Sequence, residues 1–188
     1  CLVGYVPGKP VYMSEGNALW RRYWQQRTKA TQDDLRRSAW GCATAAASFC
    51  WNGHAGEDSL VAFGEEGLPF FDDDNPYTIA AKAIDVLSDV MNEEVEFSRM
   101  TPQDGLLSDH DSHGVWCLAE PGRQYLVFAT EGKSFTLRLC AGQYGRNQWI
   151  DAKTGAARAV EAVTVAGEED TSFSPPDGET DWVLLLRE

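Results

Sequence analysis

Apolar positions change their rhythm along this chain near residue 111. Before that point they fall in short runs and in helical spacing; after it they alternate one by one. Residues 9–14, with Pro10, Val11, Tyr12 and Met13, form a run suited to a strand buried on both faces. After an aromatic and basic segment, "TQDDLRRSAWGCATAAAS" places Leu35, Ala39, Cys42 or Ala43, and Ala46 at helical spacing. Thr31 stands at its N-cap, and Asp33 and Asp34 fall in its first turn, where carboxylates favour the helix dipole. "ASFCWNGH" is a second short apolar run, broken by a polar turn at 52–54. Strand, helix and strand in this order predict a parallel crossover. In such sheets ligands gather outside the carboxyl ends of the strands. Glu15 and the group Trp51, Asn52, Gly53 and His54 therefore belong to one mouth.

Residues 55–76 read as a long loop, rich in Gly and acidic residues. "YTIAAKAIDVLSDVMNEE" follows as an amphipathic helix with Ala80, Ala83, Ile84, Leu87, Val90 and Met91 on one side. "FSRMTPQDGLLSDHDSHG" reads as a polar connector, which places a domain boundary near Asp111 and divides the chain into 1–110 and 111–188. Beyond it "QYLVFAT", "SFTLRLC" and "RNQWID" are strand-like, and Phe135, Leu137 and Leu139 alternate with Ser134, Thr136 and Arg138. "EPGR", "EGK", "DAKTG" and "PPDGET" supply turns, and "DWVLLLR" is a closing strand. The pattern predicts a small antiparallel β-sandwich.

At 188 residues and 43% apolar, the chain has material for one large or two small domains. A formal charge of -13 argues against nucleic acid or an anionic membrane as partner and suits a neutral ligand such as a carbohydrate. No apolar run approaches the roughly 20 residues that cross a bilayer. Cys1 is not an initiator Met and no basic-then-apolar leader follows it, so a processed product or a fragment is expected. Periplasmic, extracellular and cytoplasmic locations are all compatible. The five cysteines, Cys1, Cys42, Cys50, Cys117 and Cys140, form no CxxC pair and no metal-ligand spacing. Cys42 and Cys50 read as small buried hydrophobes, and Cys117 and Cys140 lie in the second domain, where pairing is allowed and not required.

The segments "KPVYMSEGN", "LRRSAWGCATAAASFCWNGH" and "MTPQDGLL" resemble the last part of a (β/α)8-barrel glycoside hydrolase of the apiosidase-like group. "WCLAEPGRQYLVFATEGKSFTLRL", "WIDAKTG" and "DWVLLLR" resemble the small sandwich appended to such barrels, which carries the name of a collagen-binding domain of a collagenase. The resemblance implies an α/β plus all-β chain: strands seven and eight of the barrel with their helices, at 8–17 and 48–52, and then the β-sandwich. It also implies a retaining enzyme, in which the carboxylate ending strand seven is the nucleophile. Glu15 is the matching position. The acid/base normally ends strand four, and no part of this chain corresponds to strands one to six.

Retaining hydrolysis needs two carboxyl groups roughly 5–5.5 Å apart, one attacking the anomeric carbon and one protonating the leaving oxygen. The attacking group must stay ionised, and Asn17, Arg21 or Arg22 offer donors or charge for that. The plain alternative for Glu15 is a solvated carboxylate at a strand end. Trp51 suits a floor for a sugar ring or simple core packing. Asn52 and His54 offer hydrogen bonds to sugar hydroxyls, although a His beside Gly is commonly just a turn residue. Trp20, Tyr23 and Trp24 line a cleft mouth or pack under a loop.

"DDD" at 72–74 lacks the spacing of a calcium loop and reads as a solvated turn before Pro76. His110 and His113 with Asp109 and Asp111 have the composition of a metal cluster but sit in the connector, where a metal site is not expected. No Gly-rich phosphate loop, Ser–His–Asp order or zinc motif is present, so neither metal nor cofactor is expected. Trp116, Tyr125, Tyr144, Trp149 and Trp182 either present a polysaccharide surface or fill the sandwich core, and the second is expected. The sequence thus points to part of a retaining glycoside hydrolase acting on a plant or microbial polysaccharide. The alternative is a catalytically silent carbohydrate- or protein-binding fragment built around the sandwich. An isolated half-barrel exposes strand edges and apolar faces, so a second chain or self-association is expected to cover them.

Overall fold

The computed structural model describes residues 11–13, 32–49 and 76–188. Strands β1 (Val11–Met13) and β2 (Ala47–Phe49) pair in parallel, with Val11 opposite Ala47 and Met13 opposite Phe49. Helix α1 (Gln32–Thr44) lies between them in sequence, as a parallel connection requires. Ala46 adopts a left-handed backbone (φ 50°) and turns the chain from α1 into β2. Its N–H donates to the Ala43 carbonyl at 2.9 Å. The expected crossover is therefore present. Among the described residues it amounts to one parallel pair and not to a barrel.

Helix α2 (Pro76–Asp89) starts on a proline, which lacks an N–H that would be unpaired there in any case. It continues into a π-helical turn, Val90–Glu94. The amphipathic pattern that predicts one helix to Glu94 thus changes its hydrogen bonding over the last five residues.

The remaining strands are β3 (Thr101–Pro102), β4 (Leu107–Ser108), β5 (Val115–Glu120), β6 (Gln124–Ala129), β7 (Phe135–Leu139), β8 (Gly142–Tyr144), β9 (Asn147–Asp151), β10 (Ala157–Val160), β11 (Val163–Val165), β12 (Glu169–Phe173) and β13 (Trp182–Arg187). One antiparallel sheet has the order β10-β9-β13-β6-β5-β3; a second has the order β12-β7-β4; β11 and β8 form a pair. The stretch read as a polar connector in fact contributes β3 and β4, one to each sheet. The sheets therefore take in Thr101–Ser108, ahead of the boundary expected near Asp111.

The central strands are apolar on both faces, and the packing explains why. Tyr125, Val127 and Ala129 of β6, with Trp182, Leu184 and Leu186 of β13, face the sandwich interior. Their neighbours Leu126, Phe128, Val183 and Leu185 face the other way, into a second core shared with Ala39, Trp40 and Ala43 of α1 and Leu87 of α2. Each fully buried Leu or Val contributes roughly 1.5–3 kcal/mol relative to exposure. "VLLLR" needs no alternation because the helices cover its outer face. β7 has no such cover, so Phe135, Leu137 and Leu139 point inward while Arg138 is exposed. Cys117 and Cys140 are both thiols and do not pair with each other; Cys42 is buried and forms no disulfide among the described residues.

Candidate functional site

The parallel pair ends level. Met13 opposes Phe49, and these are the last described residues of the two strands. In the sequence Glu15 stands two positions after Met13, and Trp51 two positions after Phe49. Glu15, Asn17, Trp20, Trp51, Asn52 and His54 all lie outside the described residues, as do Cys1, Cys50 and the 72–74 acidic triplet.

What the structure does place is the frame that holds these strand ends. Helix α1 covers β5 and β6 of the six-stranded sheet. It is fixed there by Asp181, the residue just before β13. Arg36 Nη2 donates to Asp181 Oδ2 at 2.8 Å, and the Arg37 guanidinium donates from Nε at 2.9 Å to Oδ2 and from Nη2 at 3.0 Å to Oδ1. The N–H of Glu131 completes the set at 3.0 Å from Oδ1. Glu131 has φ 53° and Gly132 φ 59°, so the chain makes a left-handed turn that aims this N–H at the carboxylate. Gly132 is required: a Cβ there would collide with the Asp177 carbonyl and the Gly178 backbone.

Burial pushes the Asp181 carboxyl up, yet the Arg37 bonds, the Glu131 N–H and Arg36 together outweigh it and hold it below the usual carboxylate range. Asp33 accepts from the other arm of Arg36 at 2.8 Å, and Glu131 from Arg37 at 3.1 Å. This ion cluster was not readable in advance. Asp181 and Arg36 are 145 residues apart, and "LRRS" resembles any helix surface until its partner is known.

The aromatic residues of the sandwich are core. Tyr125, Tyr144, Trp149 and Trp182 are buried, and Trp116 stacks on Phe128 with ring centroids 5.8 Å apart. The Tyr125 hydroxyl accepts the N–H groups of Gly122 and Cys140 at 2.9 and 3.1 Å. Among the described residues Phe97 is the only large apolar side chain that is exposed. No group of three or more His, Cys, Asp or Glu is placed to hold a metal ion among them. Of the histidine-rich connector, Asp111 accepts the His113 N–H at 2.9 Å and pairs with Lys133 at 3.1 Å, as a turn does.

The family model for the "Putative collagen-binding domain of a collagenase" matches residues 101–187, the span from β3 to β13. Two solved structures superpose on nearly all of the chain. One is called a glycoside hydrolase, with TM-score 0.71 and 16% identity over 97% of this chain and 43% of its own. The other is a glycoside hydrolase family 5 protein from Bacteroides vulgatus ATCC 8482, with TM-score 0.71 and 18% identity over 98% of this chain and 42% of its own. The likeness is one of fold, and this chain spans about two fifths of the length of each. No curated protein matches the chain.

Proposed function

We propose that this chain is the C-terminal portion of a retaining glycoside hydrolase, with Glu15 as its nucleophile. β1 and β2 are then strands seven and eight of a (β/α)8 barrel, and β3 to β13 form the appended sandwich. The observation that carries the reading is the parallel register of Met13 with Phe49, bridged by α1. Strands continuing in that register for two more residues bring Glu15 level with Trp51. Side chains at those positions then share the mouth at which barrel enzymes do their chemistry. The likeness to two glycoside hydrolases over nearly the whole chain supports the same reading.

The chemistry divides as follows. Glu15 attacks the anomeric carbon and forms a glycosyl ester, while a second carboxyl, contributed by barrel strands outside this chain, protonates the departing oxygen. The same group then takes a proton from water as the ester is hydrolysed. Trp51 supplies a face for the sugar ring, and Asn17, Trp20, Asn52 and His54 bind its hydroxyls. The Asp181 cluster has a positioning role. It pins α1, and through it the β1–β2 pair, to the sandwich.

The test uses the complete enzyme that contains this chain. A 2-deoxy-2-fluoroglycoside with a good leaving group traps the ester, and mass spectrometry of the digest should locate the label on Glu15. A label on another carboxylate, or full activity in Glu15→Gln, overturns the assignment. The rival reading, a silent binding module, draws on the sandwich having a sealed core of its own. Native mass spectrometry separates the two: the enzyme reading requires the remaining strands in the same polypeptide or in a bound partner.

A further inference from the structure

An open cleft of about 330 Å³ lies between the exit of α2 and the hairpin end of the six-stranded sheet. Its floor is rigid. Gln124 is only 7% exposed; its Oε1 accepts the Glu96 N–H at 3.0 Å, and its Nε2 donates to the Glu120 carboxylate at 3.1 Å. One wall is the π-helical turn, a departure from α-helical bonding that often accompanies functional sites. Glu94 in that turn is held by Arg187, whose Nη1 donates to the Glu94 carbonyl at 2.8 Å. Against this fixed frame, Arg123 and Glu93 both line the cleft, and neither side chain has a hydrogen-bond or ion-pair partner among the described residues.

We propose that this cleft is a second, non-catalytic carbohydrate subsite, specific for the hydroxyl groups of a neutral saccharide. A sugar hydroxyl both donates and accepts, so it is matched by a cleft whose lining includes both a carboxylate and a guanidinium. An anionic ligand is disfavoured, because carboxylates outnumber guanidinium groups in the lining. The volume stands at the low end of small-molecule sites, enough for a short stretch of a chain. No aromatic side chain lines the cleft, so binding rests on polar contacts and falls in the millimolar range. Such a subsite retains a polymer without competing with turnover. The ligand class rests on the carbohydrate reading above; the site itself does not depend on Glu15.

Affinity electrophoresis of the complete protein in a Glu15→Gln, Trp51→Ala form, which removes both turnover and the proposed sugar platform of the mouth, tests this. Native gels containing arabinoxylan, xyloglucan or mixed-linkage β-glucan are compared with gels containing polygalacturonate. Retardation is expected in at least one neutral polysaccharide and not in polygalacturonate. Arg123→Ala should weaken it at least tenfold and leave the melting temperature unchanged; in the Glu15 enzyme, Arg123→Ala should leave hydrolysis of a short soluble glycoside unchanged. Retardation by none of the neutral polymers, retardation by polygalacturonate, or retardation that survives Arg123→Ala overturns the subsite. If Glu15→Gln stays active while Arg123→Ala abolishes retardation, the nucleophile assignment fails and the subsite stands.

Discussion

Arg36 on α1 and Asp181 at the start of β13 meet at 2.8 Å across 145 residues of chain, with side chains only 5% and 1% exposed. Arg37 shares the same carboxylate but is 31% exposed. This difference decides what each residue contributes. If Asp181 is removed, Arg37 can turn to water and Arg36 cannot. Asp181→Ala leaves Arg36 with only the half-exposed Asp33 and should therefore cost about 3 kcal/mol, the low end of the range for breaking a buried pair. Arg37→Ala should cost about 1 kcal/mol or less. Urea denaturation of both variants checks the ordering. Equal losses would mean that Arg36 has another route to solvent.

The same cluster fixes the sign of an acid effect. Asp181 is more acidic in the folded protein than its ordinary value of about 3.9. A depressed carboxyl stabilises the fold above the unfolded value, and that stabilisation fades as pH falls through the folded one. The stability gap between the wild type and Asp181→Asn should be full at neutral pH and close below about pH 4. Melting temperatures from pH 7 to pH 3 read the gap directly. A gap that widens on acidification contradicts the assignment.

The legible parts of the fold are those where burial writes a period. Phe135, Leu137 and Leu139 alternate because the outer face of β7 is polar, with Thr136 paired to Ser172 and Arg138 exposed, and the Leu35–Ala39–Ala43 spacing marks the buried side of α1. β3 and β4 escaped because each has two residues inside a polar stretch, and Pro102 is tolerated there since β3 is a sheet edge. β10 escaped because three of its four residues are exposed and so carry no apolar stripe. The candidate site was read from chemistry at strand ends, and the structure describes the strands that lead to it. The clamp on α1 was illegible because a pair so distant in sequence leaves no local signal.

Asp104 gives the opposite acid response. Burial raises its carboxyl, and the Cys117 N–H, donated at 2.7 Å, and His110 only partly offset this. A raised carboxyl means the folded state holds more protons, so its contribution falls as pH climbs from about 3.9 through the raised value. Asp104→Asn keeps an oxygen for the Cys117 N–H and discards the charge. The variant should match the wild type near pH 3 and be equal or better at pH 7. A loss confined to neutral pH would show that the charge itself is favourable there.

Trp40 tests how α1 is seated on the sheet. Its indole is fully buried and stacks on Phe128 at 5.5 Å, with Trp116 stacked on the same ring from β5. The Trp40 Nε1–H has no acceptor among the described residues. An unpaired buried donor costs about 1–3 kcal/mol. Trp40→Ala removes the stack and leaves a cavity, so it should cost about 3–5 kcal/mol. Trp40→Phe keeps an aromatic face against Phe128 and deletes the stranded donor, which offsets much of the lost volume. It should cost less than about 1.5 kcal/mol. Denaturation followed by circular dichroism avoids the change in fluorescence that either variant brings. If Phe is as damaging as Ala, the indole N–H has a partner in the folded protein, and the seating of α1 depends on that bond and not on the ring stack.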